Sequence, residues 1–351
     1  MVVGPLYPDP IRAVREFSRE MRVNMINPLS SNEEYIGDNP FAYLFRPGYT
    51  TMARQLATYA AQLHDNPYAL VYFSPNERDS LFATSYRQVL ESYGKEVLAF
   101  SSLDELQARA LLDTLTEQFE EYYPKHMLDS LTELEGRFIK TRRMRTEEEE
   151  AGWEDPEVAL PWFYEKDEDG NVLDDSVKVV AYENKFTVVR DSIGSIMIAS
   201  RSNTIINNII SALAAREDST GVYGYGDWFD FKVVNYELLE RLQVKLALPE
   251  HLDRSSYRYD DLTERFTDSY RGLPSEFHYH GYEFAMFLGD KLHRYGKYFQ
   301  NGFLREGKMQ GIMTPGYDFS GTNDNQVVPI VTIRNYNIEL VEPPSIQSIE
   351  E

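Results

Sequence analysis

Residues 68–74 read YALVYFS, a near-continuous apolar run with no alternating polar face. A strand that alternates apolar and polar residues covers one side of a sheet. A run of this kind suits a strand buried on both sides, the condition of a parallel sheet with helices above and below. The flanks agree. A helix over 50–63 carries Met52, Leu56, Tyr59 and Leu63 ahead of the run, and a second, over 80–93, follows it and stops at Gly94. KEVLAFS at 95–101 supplies the next strand, and Val23–Ile26 and Tyr43–Phe45 read as short strands upstream.

The same grammar returns beyond residue 187. Strand SIMIAS (195–200), a helix over 203–215, strand GVYGYG (221–226), helix YELLERL (236–242) and strand VKLAL (244–248) follow one another. Alternation of this kind predicts an α/β chain with mostly parallel sheets and right-handed crossovers. Between the two runs, residues 104–190 break the pattern. DELQARALLDTLTEQFEEYY (104–123) and KHMLDSLTELEGRFIKTRRMR (125–145) predict charged helices, and the part around Gly170-Asn171 predicts a hairpin. This segment is read as an insertion, either a solvated decoration or a partner-docking module. Trp153, Trp162 and Phe163, set beside acidic runs, are its candidate partner-binding anchors.

Composition excludes several classes. The chain of 351 residues carries a formal net charge of −22, which opposes binding to nucleic acid or to an anionic membrane surface. With no cysteine it has neither disulfides nor thiolate chemistry, and no apolar run is long enough to span a bilayer. His278 and His280 in HYH stand two residues apart without a third ligand nearby, so a helix start is the better reading than a metal site. DEDGNVLDD (167–175) has its glycine misplaced for a calcium loop, and GYGDW lacks the Lys-Ser/Thr of a phosphate loop. No paired acid/base or nucleophile constellation emerges, which predicts a protein that is not an enzyme and needs no cofactor.

The order of the pieces resembles the bilobal periplasmic solute-binding proteins of the Leu/Ile/Val-binding type, the type I periplasmic binding-protein fold. VVGPLYPDPIRAVREF (2–17) is similar to that family's mid-lobe strand, Gly-Pro turn and helix, and VNMINPLSSNEEY (23–35) to its next strand and hydroxyl-bearing loop. YLFRPGYTT (43–51) resembles the first crossing between lobes. VYGYGDW (222–228), the stretch 262–292 and the Gly-rich close at 316–336 resemble the second-lobe turn, the return helices and the final strands. The resemblance implies two Rossmann-like lobes: 1–47 with 251–326, and 48–250 with 327–351, the insertion lying within the second. Crossings are expected near 45–49, 249–256 and 323–327. It also implies that two strands and two helices precede Val2, that this N-terminal lobe is incomplete as given, and that a signal peptide or lipoprotein cysteine lies further upstream.

By position, the resemblance assigns Ser30 and Ser31 to a carboxylate-binding loop and Asp227 to the acid that holds a ligand's ammonium. Leu6 and Tyr7 stand where the family more often has small hydroxyl residues, and Tyr49, Arg201 and Ser202 complete the candidate ligand-binding set. The residues themselves also admit plainer roles. Asp227 suits an Asx turn or cap, Ser30-Ser31 a turn before Glu33, Ser202 a helix start, and Tyr49 packing at the crossing. The expected function is an extracytoplasmic protein, periplasmic or associated with the outer membrane, that closes on an amino acid or similar small polar ligand for an ABC transporter. The alternative is a scaffold that has lost its ligand and serves as an interaction subunit of a cell-envelope complex.

Overall fold

The computed structural model describes residues 1–7, 9–108, 117–124, 137–141, 164–166, 172–183, 193–216, 220–231 and 235–341. Trp153, Trp162 and Phe163 lie outside them. Residues 1–104, 192–207 and 219–351 form one unit, and 105–191 with 208–218 form a second.

Two sheets organise the first unit. The smaller joins β1 (Val2–Val3), β2 (Met25–Asn27) and β3 (Ala42–Leu44) in parallel, with α1 (Ile11–Met21) between the first two. Alternation along these strands sends side chains to opposite faces. Met25, Ala42 and Leu44 pack with Ile36 and Val14 on one side. Ile26, Tyr43 and Phe45 face the other, where they meet an aromatic core of Phe284, Phe287, Phe299, Phe303, Tyr317 and Phe319. Phe45 and Tyr317 stack with centroids 4.5 Å apart.

The larger sheet is built after α2 (Tyr49–Leu63) from β4 (Tyr68–Phe73), α3 (Glu77–Ser92) and β5 (Glu96–Ser102). The second unit's described strands then intervene: β6 (Glu117–Pro124), β7 (Arg137–Thr141), β8 (Tyr164–Lys166) and β9 (Val172–Glu183). The larger sheet resumes with β10 (Ile193–Ala199), α4 (Asn203–Arg216), β11 (Gly221–Tyr225), α5 (Tyr236–Arg241) and β12 (Lys245–Ala247). Helices α6 (Tyr257–Tyr270), α7 (Glu276–Tyr295) and α8 (Gln300–Glu306) precede the hairpin β13 (Ile330–Arg334) and β14 (Asn337–Leu340). The sheet order is β14-β13-β12-β11-β10-β4-β5. Pairing is parallel from β5 to β12 and antiparallel only at β12/β13 and β13/β14. Every residue of β10, β11 and β12 is buried, as continuous apolar runs require. The strand and helix alternation read from residues 68–101 and 195–248 is therefore the architecture found.

The chain passes between the two sheets at three places: from β3 into α2, from β12 into α6, and before β13. These segments are tied together. Leu44 N donates to Asn323 O, Asn325 N to Leu44 O, and Gly48 N to Asp324 Oδ2 at 2.9 Å.

In the second unit the described strands form an antiparallel sheet in which β9 pairs β6, β7 and β8. This corrects the expectation of helices at 117–124 and 137–141, which are strands. The physical reason lies in their partner. Val172–Glu183 carries four valines and pairs with eight residues of 117–124 and five of 137–141, which overrides the weak helical preference of charged stretches.

Candidate functional site

Ligand sites in open α/β sheets lie beyond the carboxyl ends of the parallel strands. Here those ends bring together residues distant in sequence. Ser30 and Ser31 follow β2, Arg46 follows β3, Arg201 follows β10, Asp227 follows β11, and Glu250 follows β12. They line a cavity of about 310 Å³ together with Leu6, Tyr49 and Tyr225.

Local structure explains each position. Ser30 N and Leu29 N both donate to Asn27 Oδ1, folding the loop after β2, and Ser30 Oγ accepts from Asn32 N at 3.0 Å. Ser31 O accepts from Tyr49 N, so this loop is fastened to the start of α2. Glu33 reinforces the join: its Oε1 accepts from Thr50 N at 2.6 Å and from Thr50 Oγ1. A carboxylate suits a helix N-terminus. Gly48 leaves room for this carboxylate: a Cβ would lie 2.4 Å from Glu33 Oε1, so the Glu33 side chain would have to shift.

The GYGDW turn is shaped by Trp228. Its indole is fully buried and donates from Nε1 to Ser200 O at 3.1 Å. A Cβ on Gly224 would stand 2.2 Å from that ring, and one on Gly226 would meet the β12 backbone at Ala247 O, 3.0 Å away. The two glycines let the turn lie against the indole and β12, and Asp227 stands directly between Gly226 and Trp228 in the chain.

Two ion pairs join lining residues of the cavity. Arg201 Nε lies 2.6 Å from Asp227 Oδ2, and Arg46 Nη1 lies 2.5 Å from Glu250 Oε1. Behind them, buried Asp79 accepts from Tyr225 Oη at 2.9 Å and from Arg78 Nη2 at 2.7 Å. Burial first, then the neighbouring Asp79, pushes the Tyr225 phenol well above its ordinary range, so it stays a neutral donor. The Arg78 and Arg201 guanidinium carbons each lie within about 6 Å of the Tyr49 and Tyr225 rings, in cation–π range. The lining thus offers hydroxyls, cations, anions and aromatic faces within one small volume.

Of the eight residues expected from sequence, Leu6, Ser30, Ser31, Tyr49, Arg201 and Asp227 share this cavity. Tyr7 and Ser202 do not line it. Tyr7 is 76% exposed. Ser202 stands at the start of α4, where its Oγ accepts from Ile205 N, the plainer role considered for it. Arg46, Glu250, Tyr225, Arg78 and Asp79 were not singled out from sequence. Arg46 had a signal, a lone cation in the otherwise apolar YLFRPG. Asp79 had none beyond its place in the first turn of α3.

A larger chamber of about 1120 Å³ adjoins the cavity and shares Arg46, Arg201, Asp227 and Glu250 with it. Its further walls come from the start of α7 and from the β13–β14 hairpin. His251 and His280 line it, and burial first lowers both imidazoles, His280 to about 4 with Arg46 adding to the effect.

No protein-family model and no curated protein matches the chain. Solved structures do. Two structures of an ABC transporter substrate-binding protein from Desulfitobacterium hafniense, one in complex with Leu, superpose with TM-scores of 0.55 and 0.57 at 12% and 13% identity. Each match covers 97% of this chain, and 79% and 80% of the respective neighbour. A branched-chain amino acid ABC transporter protein from Thermus thermophilus with bound valine gives a TM-score of 0.52 at 11% identity, over 96% of this chain and 76% of its own. The chain has the type I periplasmic binding-protein fold, as the order of its sequence motifs implied. At these identities the likeness is one of fold. Among the described residues no helix is long and apolar enough to cross a membrane.

Proposed function

We propose that this chain is a non-enzymatic, extracytoplasmic solute-binding protein that closes two lobes on an amino acid or similar small polar ligand for delivery to an ABC transporter. The observation that carries this reading is the convergence of Ser30, Ser31, Arg46, Arg201, Asp227 and Glu250 on one cavity beyond the carboxyl ends of parallel strands. The ligands named for two of the fold neighbours, Leu and valine, are of this class.

In this reading the loop after β2 and the Arg46 guanidinium receive the ligand's carboxylate. Asp227 receives its ammonium, and Tyr49 and Tyr225 cover its apolar part. Charged groups on both sides of a closing cleft are desolvated together with the ligand, and hydrogen bonds to charge then gain strength. Contacts to both lobes exist only in the closed form, so ligand shifts the equilibrium toward closure.

Thermal denaturation and isothermal titration with the common L-amino acids and simple carboxylates test the reading. A ligand that binds only the folded protein raises the melting temperature in proportion to ln(1 + [L]/Kd). At least one amino acid is expected to do so; none doing so overturns it.

The two internal ion pairs favour a second reading. With Arg201 on Asp227 and Arg46 on Glu250, the charged groups already neutralise each other, as in a scaffold that has given up its ligand. Such a chain acts as an interaction subunit of a cell-envelope complex, with Trp153, Trp162 and Phe163 as anchors. Loss of co-purifying partners on deleting residues 104–190, with no amino acid binding the intact chain, is the result that selects it.

A further inference from the structure

We infer that the ligand is an amino acid whose side chain ends in a cation, with the α-amino and carboxylate groups in the small cavity and the distal cation in the adjoining chamber. The inference rests on the amino-acid reading above and names its substrate class.

Three observations carry it. The first is register. Asp227 lines both spaces, and Asp230 lines only the chamber. The two belong to one 3-10 turn, Gly226–Asp230, in which residues three apart eclipse each other about 6 Å along the axis. In the proposed pose, a ligand whose ammonium meets Asp227 has Asp230 within the span of a four-atom side chain.

The second is charge. The chamber is lined by six carboxylates and three guanidinium groups. Each arginine has an acidic partner within 3 Å: Arg46 with Glu250 at 2.5 Å, Arg201 with Asp227 at 2.6 Å, and Arg254 with Glu276 at 2.9 Å. Asp230 and Asp253 stand outside those three pairs, Glu339 has Arg334 at 3.7 Å, and burial lowers both imidazoles. Burial raises the Asp230 carboxyl above the usual range, and the nearby charges of Asp227 and Glu276 add to the effect, the part that a cation would offset.

The third is the aromatic rim. Phe277, in the first turn of α7, is 71% exposed, and Tyr336, at the tip of the β13–β14 hairpin, is 75% exposed. They line the chamber from two different elements, α7 and the β13–β14 hairpin. Asn335 and Tyr336 have φ of 48° and 61°, the left-handed pair of a tight hairpin. Glycine is the favoured residue at the second position, and a tyrosine there costs about 1 kcal/mol or more. Local folding gives no reason for that ring. A cation seated between aromatic faces does.

Isothermal titration of the full chain with L-lysine, L-arginine, L-leucine and L-norleucine tests this, alongside Asp230→Asn and Tyr336→Gly. Norleucine has the carbon frame of lysine without its ammonium. Lysine or arginine should bind at least about tenfold tighter than norleucine. Asp230→Asn should remove that preference while leaving norleucine and leucine unchanged. Tyr336→Gly should weaken lysine several-fold with a melting temperature level with or above the parent's, since the strained position is relieved. Equal binding of lysine and norleucine, with leucine bound, overturns the cationic class and leaves the amino-acid reading standing. A lysine preference that survives both substitutions removes the chamber's role. No heat with any of the four, when another amino acid binds, also overturns the class. No heat with any amino acid removes the reading and this inference together.

Discussion

Arg201 Nε stands 2.6 Å from Asp227 Oδ2, so the carboxylate assigned to a ligand's ammonium is shared with a guanidinium from the neighbouring strand end. Both side chains are more than a third exposed, so water still screens the pair. It orients Asp227 without exhausting it. In the proposed solute-binding reading, the second oxygen and the remaining lone pairs are what a ligand would meet.

The first prediction follows from this sharing. Asp227→Asn should lower the affinity for an amino acid by about 10- to 100-fold, the usual weight of a hydrogen bond to a charged group. Isocaproate, which has leucine's frame without the ammonium, should bind unchanged or tighter, because Arg201 is released. Titration of both compounds against parent and variant checks the split. Equal losses for both would mean that Asp227 only shapes the turn.

How far this site could be read from sequence depends on which interactions are local. The parallel sheet was legible because burial on both faces leaves a continuous apolar run, as in Tyr68–Phe73 and Ile193–Ala199. The placing of Asp227 and Ser30-Ser31 beyond strand ends was legible from their motif order. Tyr7 was not, because nothing in GPLYP tells which of two adjacent side chains turns into the cavity. Arg46, Glu250 and Asp79 act through partners 204 and 146 residues away, Glu250 for Arg46 and Tyr225 for Asp79. No window of sequence contains such pairs. The strands at 117–124 and 137–141 were missed for the same reason, since their pairing with 172–183 is long-range.

Glu283 gives a stability prediction. It is 1% exposed and accepts hydrogen bonds from Ile312 N, Met313 N, Thr314 Oγ1 and Tyr317 Oη, at 2.7 to 3.1 Å. These bonds hold the loop that brings Tyr317 onto Phe45. Glu283→Ala leaves four donors without their acceptor and should cost at least about 3 kcal/mol. Glu283→Gln, which keeps one carbonyl oxygen, should fall between. Urea midpoints at constant slope measure both. An alanine variant within about 1 kcal/mol of the parent would show that water replaces the carboxylate there.

Gly224 links the turn to the core. A Cβ would lie 2.2 Å from the Trp228 ring, which has no exposed surface to retreat into. Gly224→Ala should therefore destabilise by about 1–3 kcal/mol through overpacking. It should also weaken ligand binding, because Asp227 precedes the displaced indole. Tryptophan fluorescence and titration together check this. Unchanged binding in a destabilised variant would detach the turn from the site.

The last prediction concerns acid. His64 and His280 are half-buried imidazoles whose pKa values are lowered from 6.5 to about 4. Burial comes first for both, followed by Lys245 and Lys95 for His64 and by Arg46 for His280. Each stays neutral in the folded chain at a pH where the unfolded chain already takes up a proton. Their contribution to stability is therefore present above about pH 6.5 and is lost as the pH falls toward 4. Urea unfolding from pH 7 to pH 4 should show stability falling through that window. His64→Gln combined with His280→Gln should flatten the fall, whatever the double variant's stability at pH 7. Protonation of the many carboxylates also relaxes the repulsion of a chain with net charge −22, but parent and double variant share that effect, so the difference between their curves isolates the histidines. Parallel curves from pH 7 to pH 4 would mean that both imidazoles titrate as freely in the folded chain as in the unfolded one.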